Sequence, residues 1–326
     1  MSTILVFGAI SEGVLAVSPL EAVAVARVLA QATGAQLYGG LIGRDCAAAA
    51  DTFAKAGFVE LFVADHVRHA PYVAECHIAA AEAIIRKCAP SLILFPQTAE
   101  TSEWVPVLAG RLKAAMASAC TKLAYDGEQL VATRPVCGGA VQGEYAFNRP
   151  LKIVTLASGA HAPAALMETC PISTVDVPDL QPCVTVLEEI PDAGTGGPRL
   201  KGARVVVSGG LGIGSKENWR LIEETASALG AAMGATRAVV ELGWVPSTQQ
   251  VGFSGQKISP ELYIAIGISG AVHHLAGLAG AKTIVAVNKD PEAGIFRAAR
   301  FGVVGDAKEI MPAFVARVKE LRAGQA

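Results

Sequence analysis

Two stretches of this 326-residue chain join an apolar run to a cluster of glycines. Such a junction lets a backbone approach an anion, because glycine carries no side chain and the following helix offers free N–H groups and a positive dipole end. The first runs Val205-Val206-Val207-Ser208-Gly209-Gly210-Leu211-Gly212-Ile213-Gly214-Ser215. Ser215 takes the third glycine position of a GxGxxG pattern, so the stretch reads equally as a nucleotide loop or as a tight strand-to-helix turn. The second is Leu262-Tyr263-Ile264-Ala265-Ile266-Gly267-Ile268-Ser269-Gly270-Ala271-Val272-His273-His274-Leu275-Ala276-Gly277. Ser269 and Gly270 sit where a helix should begin, and a pyrophosphate there would meet backbone N–H groups and a hydroxyl. The carboxyl end of a strand is also the usual ligand crevice of an open α/β sheet. His273 and His274 cannot share a helix face. One can point at a ligand while the other faces solvent or a partner, although a histidine among Ala, Leu and Gly is more often structural. His66, His69 and His77 have metal-like spacing but no fourth ligand, so no metal is expected. No nucleophile–histidine–acid constellation is present.

The elements that must position these residues alternate. Thr3–Phe7 reads as a buried strand. Ser18-Pro19-Leu20-Glu21 then opens a helix as a capping box, which Gly34 ends. Strands are expected at 37–42, 58–64 and 92–95, with helices at 46–56 and 72–88. This order predicts a parallel sheet with helices on both faces. Beyond about Ala117 the pattern turns more antiparallel. A hairpin is expected at 122–125 and 129–133 around Asp126-Gly127, followed by strand-like runs at 136–147, 151–156 and 174–189. Pro191–Lys201 is rich in Gly and Pro and reads as a linker. The chain should divide into domains of 1–194 and 195–326. In the second, strands are expected at 204–208, 238–242, 262–266 and 283–287, and helices at 216–229, 269–278 and 306–321.

Hydrophobic residues make up 52% of the chain and charged residues 17%, with a mean hydropathy of +0.42. So low a charge content points either to a permanent partner interface or to a tightly packed, Ala-rich α/β protein. Net charge is −2 without a basic stripe, which excludes a nucleic-acid binder. The opening MSTILVFG lacks a charged segment followed by a long apolar one, so no secretory leader is expected. Ile264–Val287 is broken by His273, His274, Lys282 and glycines and makes a poor membrane span. The seven cysteines contain no CxxC and read as small buried hydrophobes in a reducing compartment, so the chain is expected to be cytoplasmic.

The segment LYIAIGISGAVHHLAGLAGAKTIVAVNKDPEAGIF, Leu262–Phe296, resembles the signature of electron transfer flavoprotein alpha subunits. VVVSGGLG at 205–212, GATRAVVELGWVPSTQQVGFSGQ at 234–256 and GVVGDAKEIMPAF at 302–314 agree with it. The resemblance is close over the second domain and less specific over the first. It implies two α/β domains, each with a mostly parallel sheet flanked by helices. The first packs against a beta subunit, and the second is Rossmann-like and holds FAD. It also implies individual roles. Arg237 lies against the flavin ring, where a fixed cation favours the reduced, more negative cofactor. Ser254 hydrogen-bonds the flavin N5, and His274 lies near the C2 carbonyl, where negative charge gathers on reduction. Ser269, Gly270 and Ala271 start the helix near the pyrophosphate. Gln250, Val251 and Gly252 line the flavin, and Thr236, Asn288 and Asp306 surround the phosphates, ribose and adenine. Three positions depart from the family pattern: Leu211 replaces a common arginine, Phe253 a glutamine and Gln256 a lysine.

The function this implies is electron carriage rather than stand-alone catalysis. The chain would form a heterodimer with the beta subunit and take electrons from a flavin dehydrogenase, such as an acyl-CoA dehydrogenase of fatty acid β-oxidation. It would pass them to a quinone reductase or another acceptor. An electron-bifurcating, NADH-oxidising relative is the alternative. A nicotinamide-dependent oxidoreductase using the Ser208–Ser215 loop, or an adenine-nucleotide sensor built on the first domain, is more distant.

Overall fold

A computed structural model describes residues 2–11, 13–137, 141–189, 198–200, 202–278 and 280–323. The chain divides into two compact units, residues 1–190 and 191–326. Of the linker expected at Pro191–Lys201, residues 191–197 and 201 lie outside the described residues.

In the first unit the order is β1 (Thr3–Phe7), β2 (Ile10–Ser11), β3 (Val14–Leu15), α1 (Ser18–Thr33), β4 (Gln36–Gly43), α2 (Ala47–Phe53), β5 (Leu61–Asp65), α3 (Ala74–Cys88), β6 (Leu92–Pro96), α4 (Ala99–Arg111), β7 (Ala115–Cys120), β8 (Lys122–Asp126), β9 (Gln129–Val136), β10 (Val141–Ala146), β11 (Lys152–Leu156) and β12 (Ile172–Thr174). A parallel sheet runs β12-β5-β4-β1-β6-β11-β7, and β10-β9-β8 form a separate antiparallel sheet. Side chains alternate along each strand. In β1, Ile4 and Val6 join Val23, Leu29 and Phe53 of α1 and α2. Leu5 and Phe7 turn the other way, onto Ile84 of α3 and Trp104 of α4.

Three expectations for this unit change. Glu21 does not close a capping box, because its carboxylate reaches across to accept the Gly159 N–H at 2.7 Å. The 151–156 run is not part of an antiparallel region. As β11 it enters the parallel sheet between β6 and β7. Of the strand expected at 174–189, only Thr174 lies in a strand, as the last residue of β12, which pairs along β5, because Pro178 and Pro182 interrupt the run.

The second unit continues with β13 (Val205–Gly209), α5 (Arg220–Leu229), β14 (Ala232–Ala235), α6 (Arg237–Glu241), β15 (Leu262–Ile266), α7 (Val272–Leu275), β16 (Thr283–Asn288), α8 (Ile295–Ala298), β17 (Phe301–Val304) and α9 (Ala307–Ala323). The strand expected at 238–242 is helix α6, and the pairing strand is the Ala- and Gly-rich β14 just before it. The helix expected at 269–278 is confined to the four residues of α7. The sheet is parallel in the order β14-β13-β15-β16-β17. One face packs on α5 and α9 through Ile222 and Met311. The other, bearing Tyr263 and Ala265, is covered by short segments carrying Val251, Ile258, Leu278 and Ile295.

Candidate functional site

In order of sequence the second sheet reads 2-1-3-4-5, so the direction of winding reverses between β13 and β15. Ligands of open α/β sheets bind outside the carboxyl ends of the strands at this reversal. Both glycine stretches leave the sheet there. They are tied backbone to backbone, with the Gly210 N–H donating to the Ile266 carbonyl and the Gly212 N–H to the Gly267 carbonyl, each at 2.9 Å. A Cβ on Gly212 would lie 2.7 Å from the Gly267 Cα, so no larger residue allows this approach.

The two loops differ in what they can offer an anion. In the first, the amides of Gly210, Gly212, Ile213 and Gly214 all donate within the protein. In the second, the amides of Ser269, Gly270 and Ala271 donate to no protein acceptor among the described residues. On the same edge of the sheet a shallow cleft is lined by Gly212, Gly267, Asn288, Lys289, Gly305 and Asp306. Asn288 uses its whole amide internally: Nδ2–H donates to the Ile268 carbonyl at 2.9 Å and Oδ1 accepts the Asp290 N–H at 3.0 Å. Asp306 accepts the Lys308 N–H at 2.9 Å, a cap on the first turn of α9.

The remaining candidates follow β14 on the same edge. The Thr236 amide donates to the Gly209 carbonyl at 3.1 Å. Arg237 opens α6, exposed, with its Nε 2.7 Å from Glu241. The Val251 N–H donates to the Ala235 carbonyl at 2.9 Å, which hangs the 250–256 segment on the end of β14. Within that segment Gln250 Nε2 donates to Ser254 Oγ at 3.0 Å, and Gly252 has a φ of 149°, where a Cβ would lie 3.0 Å from the His273 carbonyl oxygen. All twelve candidates are therefore carried on the carboxyl edge of one sheet or on segments bonded to it.

His274 is buried, with Nε2 2.8 Å from the Tyr263 hydroxyl and Nδ1 3.0 Å from the Val251 carbonyl. Burial pushes its pKa down to about 4, against the opposing pull of the Val251 carbonyl. His273 is exposed, edge-on to Phe253 with ring centroids 6.1 Å apart. Among the departures, Phe253 lies under the Lys257 ammonium, 5.8 Å from its ring centroid, and Gln256 Nε2 donates to the Thr248 carbonyl at 2.5 Å. Leu211 is half exposed at the turn of the first loop. Tyr263 and Lys289 were not singled out from sequence. A tyrosine at an inward position of a buried strand was the available signal, since a buried phenol needs a partner.

In the first unit, His69 and His77 are buried and each turns Nδ1 to a carbonyl, Gly43 at 3.0 Å and Val73 at 3.1 Å. No group of three His, Cys, Asp or Glu side chains converges in a way that could hold a metal among the described residues.

Residues 4–180 match the electron transfer flavoprotein domain, and residues 199–279 match the electron transfer flavoprotein FAD-binding domain. The chain belongs to the electron transfer flavoprotein alpha-subunit family. It is 32% identical over 321 residues to the electron transfer flavoprotein subunit alpha of Bacillus subtilis (strain 168), covering 98% of each chain. It is 35% identical over 311 residues to the subunit alpha of Mycobacterium leprae (strain TN), covering 95% of this chain and 96% of that one. Protein FixB of Clostridium saccharobutylicum is 32% identical over 325 residues, covering 97% of this chain and 96% of that one. The second unit thus carries the family's FAD-binding domain, and FAD is its cofactor. The residues present fit that cofactor. The amides of 269–271 are free to meet a phosphate-sized anion, and the same edge carries a cation, Arg237, and a hydroxyl, Ser254, of the kinds a flavin ring would meet. No helix among the described residues is long and apolar enough to cross a membrane.

Proposed function

We propose that this chain is the FAD-carrying half of a heterodimeric electron transfer flavoprotein, a cytoplasmic carrier completed by a beta subunit. It takes electrons from flavin dehydrogenases, acyl-CoA dehydrogenases among them, and delivers them to a quinone reductase or another acceptor. The first domain, 1–194, packs against the beta subunit, and the second, 195–326, holds the cofactor. The observation that carries the reading is the gathering of Thr236, Arg237, the 250–254 segment, Ser269–Ala271, Asn288 and Asp306 on one sheet edge. FAD supplies two one-electron steps. The chain's own work is to hold and bias it. Ser269, Gly270 and Ala271 give amides to the pyrophosphate. Asn288 and Asp306 shape the cleft for the adenosine end. Gln250, Val251, Gly252, Ser254 and Arg237 flank the ring, with His274 bonded behind them to Val251.

A nicotinamide enzyme built on the Ser208–Ser215 loop is disfavoured, because the amides of its residues Gly210, Gly212, Ile213 and Gly214 are already spent on Ile266, Gly267 and the loop's own turn. The bifurcating alternative places a second flavin in the beta subunit. Copurification with the beta partner separates the readings. One FAD per heterodimer, inert to NADH, supports the shuttle. Two FAD with reduction by NADH gives the bifurcating kind, and a flavin-free complex overturns the proposal.

A further inference from the structure

For a neutral imidazole, the form that burial favours, the Tyr263–His274–Val251 contact is satisfied by one arrangement of protons. The Val251 carbonyl can only accept, so the proton of a neutral imidazole sits on Nδ1. Nε2 then holds a lone pair, and the Tyr263 hydroxyl must be the donor to it. The ring joins three separate pieces of chain: β15 through Tyr263, α7 through its own backbone, and the 250–256 segment through Val251.

Other contacts show how closely these pieces are set. The Phe253 N–H donates to the His273 carbonyl at 2.7 Å. A Cβ on Gly277 would lie 2.5 Å from the Gly252 nitrogen, so the segment crosses the turn after α7 backbone on backbone. From Val251 the connection continues through its amide to Ala235, two residues before Arg237. The arrangement is dry: Tyr263 is fully buried and His274 and Val251 nearly so. A buried hydrogen bond costs more to break than an exposed one, because water does not replace the partner.

We propose that Tyr263 and His274 form a neutral hydrogen-bonded strut, phenol to Nε2 and Nδ1–H to the Val251 carbonyl, which sets the position of the Ser254 segment. Tyr263 and His274 are positioning residues in this role. The inference rests on the flavin reading for its consequence, but not for its test. The titratable groups on the elements meeting the ring are Tyr263, which burial pushes far up, and the exposed His273 and Lys257. None presents a fixed charge within the buried contact.

The holo heterodimer, labelled with nitrogen-15 at histidine, is read by long-range NMR. The expected result is a single His274 pattern with the proton on Nδ1, unchanged from pH 9 to pH 5.5. A proton on Nε2, or titration within that range, overturns the strut. Amide exchange across 251–256 is then compared in three variants. Tyr263→Phe and His274→Phe should speed it about tenfold, whereas His274→Asn, which keeps a donor near the Nδ1 position, should stay within about threefold. Equal loss in His274→Asn and His274→Phe, or no change in Tyr263→Phe, also overturns it. If His274→Phe fails to fold, Tyr263→Phe against His274→Asn still decides. Flavin content, measured on each sample, reports separately on the FAD reading, since the exchange rates are read whether or not FAD is bound.

Discussion

Asn288, the last residue of β16, gives its Nδ2–H to the carbonyl of Ile268, just past the end of β15, at 2.9 Å. The bond ties together the exits of two neighbouring strands at the point where the cleft opens. Its Oδ1 meanwhile turns the chain by accepting the Asp290 N–H. The residue therefore shapes the site even before it touches any ligand.

Asn288→Ala should strand the buried Ile268 carbonyl and loosen the turn. Loss of one buried acceptor's partner costs roughly 1–3 kcal/mol. Thermal unfolding of the heterodimer should fall accordingly, and flavin should dissociate faster on dilution. Asn288→Asp, which cannot donate when ionised, should behave like alanine rather than like wild type.

In the proposed function Arg237 acts on the cofactor by charge. Removing the cation disfavours the more negative, reduced flavin, so Arg237→Ala should lower the midpoint potential, on the order of tens of millivolts. The side chain is well exposed and solvent screens it. Glu241→Gln frees the same guanidinium and should move the potential the other way. Spectroelectrochemical titration of both variants checks the pair of signs.

Gly252 is the tight point of the 250–256 segment. Its φ of 149° and its nearness to the His273 carbonyl leave no comfortable place for a methyl group. Gly252→Ala should destabilise by about 1–3 kcal/mol and weaken flavin retention while leaving the first unit's secondary structure intact. Circular dichroism and flavin release, followed together, read both effects.

Acid should unfold the first unit early. Burial lowers the pKa of His77 to about 4, and His69 is lowered for the same reason. The unfolded chain binds these protons at higher pH than the folded chain does. Stability is thus intact above about pH 6.5 and is lost as pH falls toward 4. His77 alone accounts for roughly 3 kcal/mol of that loss by pH 4. His77→Gln should flatten the slope of unfolding free energy against pH by about one proton in this window. An unchanged slope contradicts the assignment.

The site was legible in sequence where backbone chemistry dictates residue type. Gly210, Gly212 and Gly267 are required by the crossing of two loops, and Ser269-Gly270 by the break after β15. Strand β14 was missed because Ala232–Ala235 has no branched or aromatic residue, while Val239 and Val240 nearby mimic a strand. The sheet decided otherwise, since Ala232–Ala235, and not 238–242, pairs with β13 on the side away from β15. Helix α4 escaped notice behind Pro106, although Thr98 and Thr101 form its capping box. Glu21 looked like a cap because local spacing cannot foresee a partner 138 residues away. Tyr263 was invisible for the same reason, its importance lying in a contact with His274 that only the folded chain makes.

Val251 makes its two decisive bonds with its own peptide group, the N–H to Ala235 and the carbonyl to His274. Its side chain need only be apolar and of similar bulk. The joint is therefore written in main chain, and sequence can drift around it without moving it. Phe253 and Gln256 are free to differ from one relative to the next, while the backbone frame that carries Ser254 stays where it is.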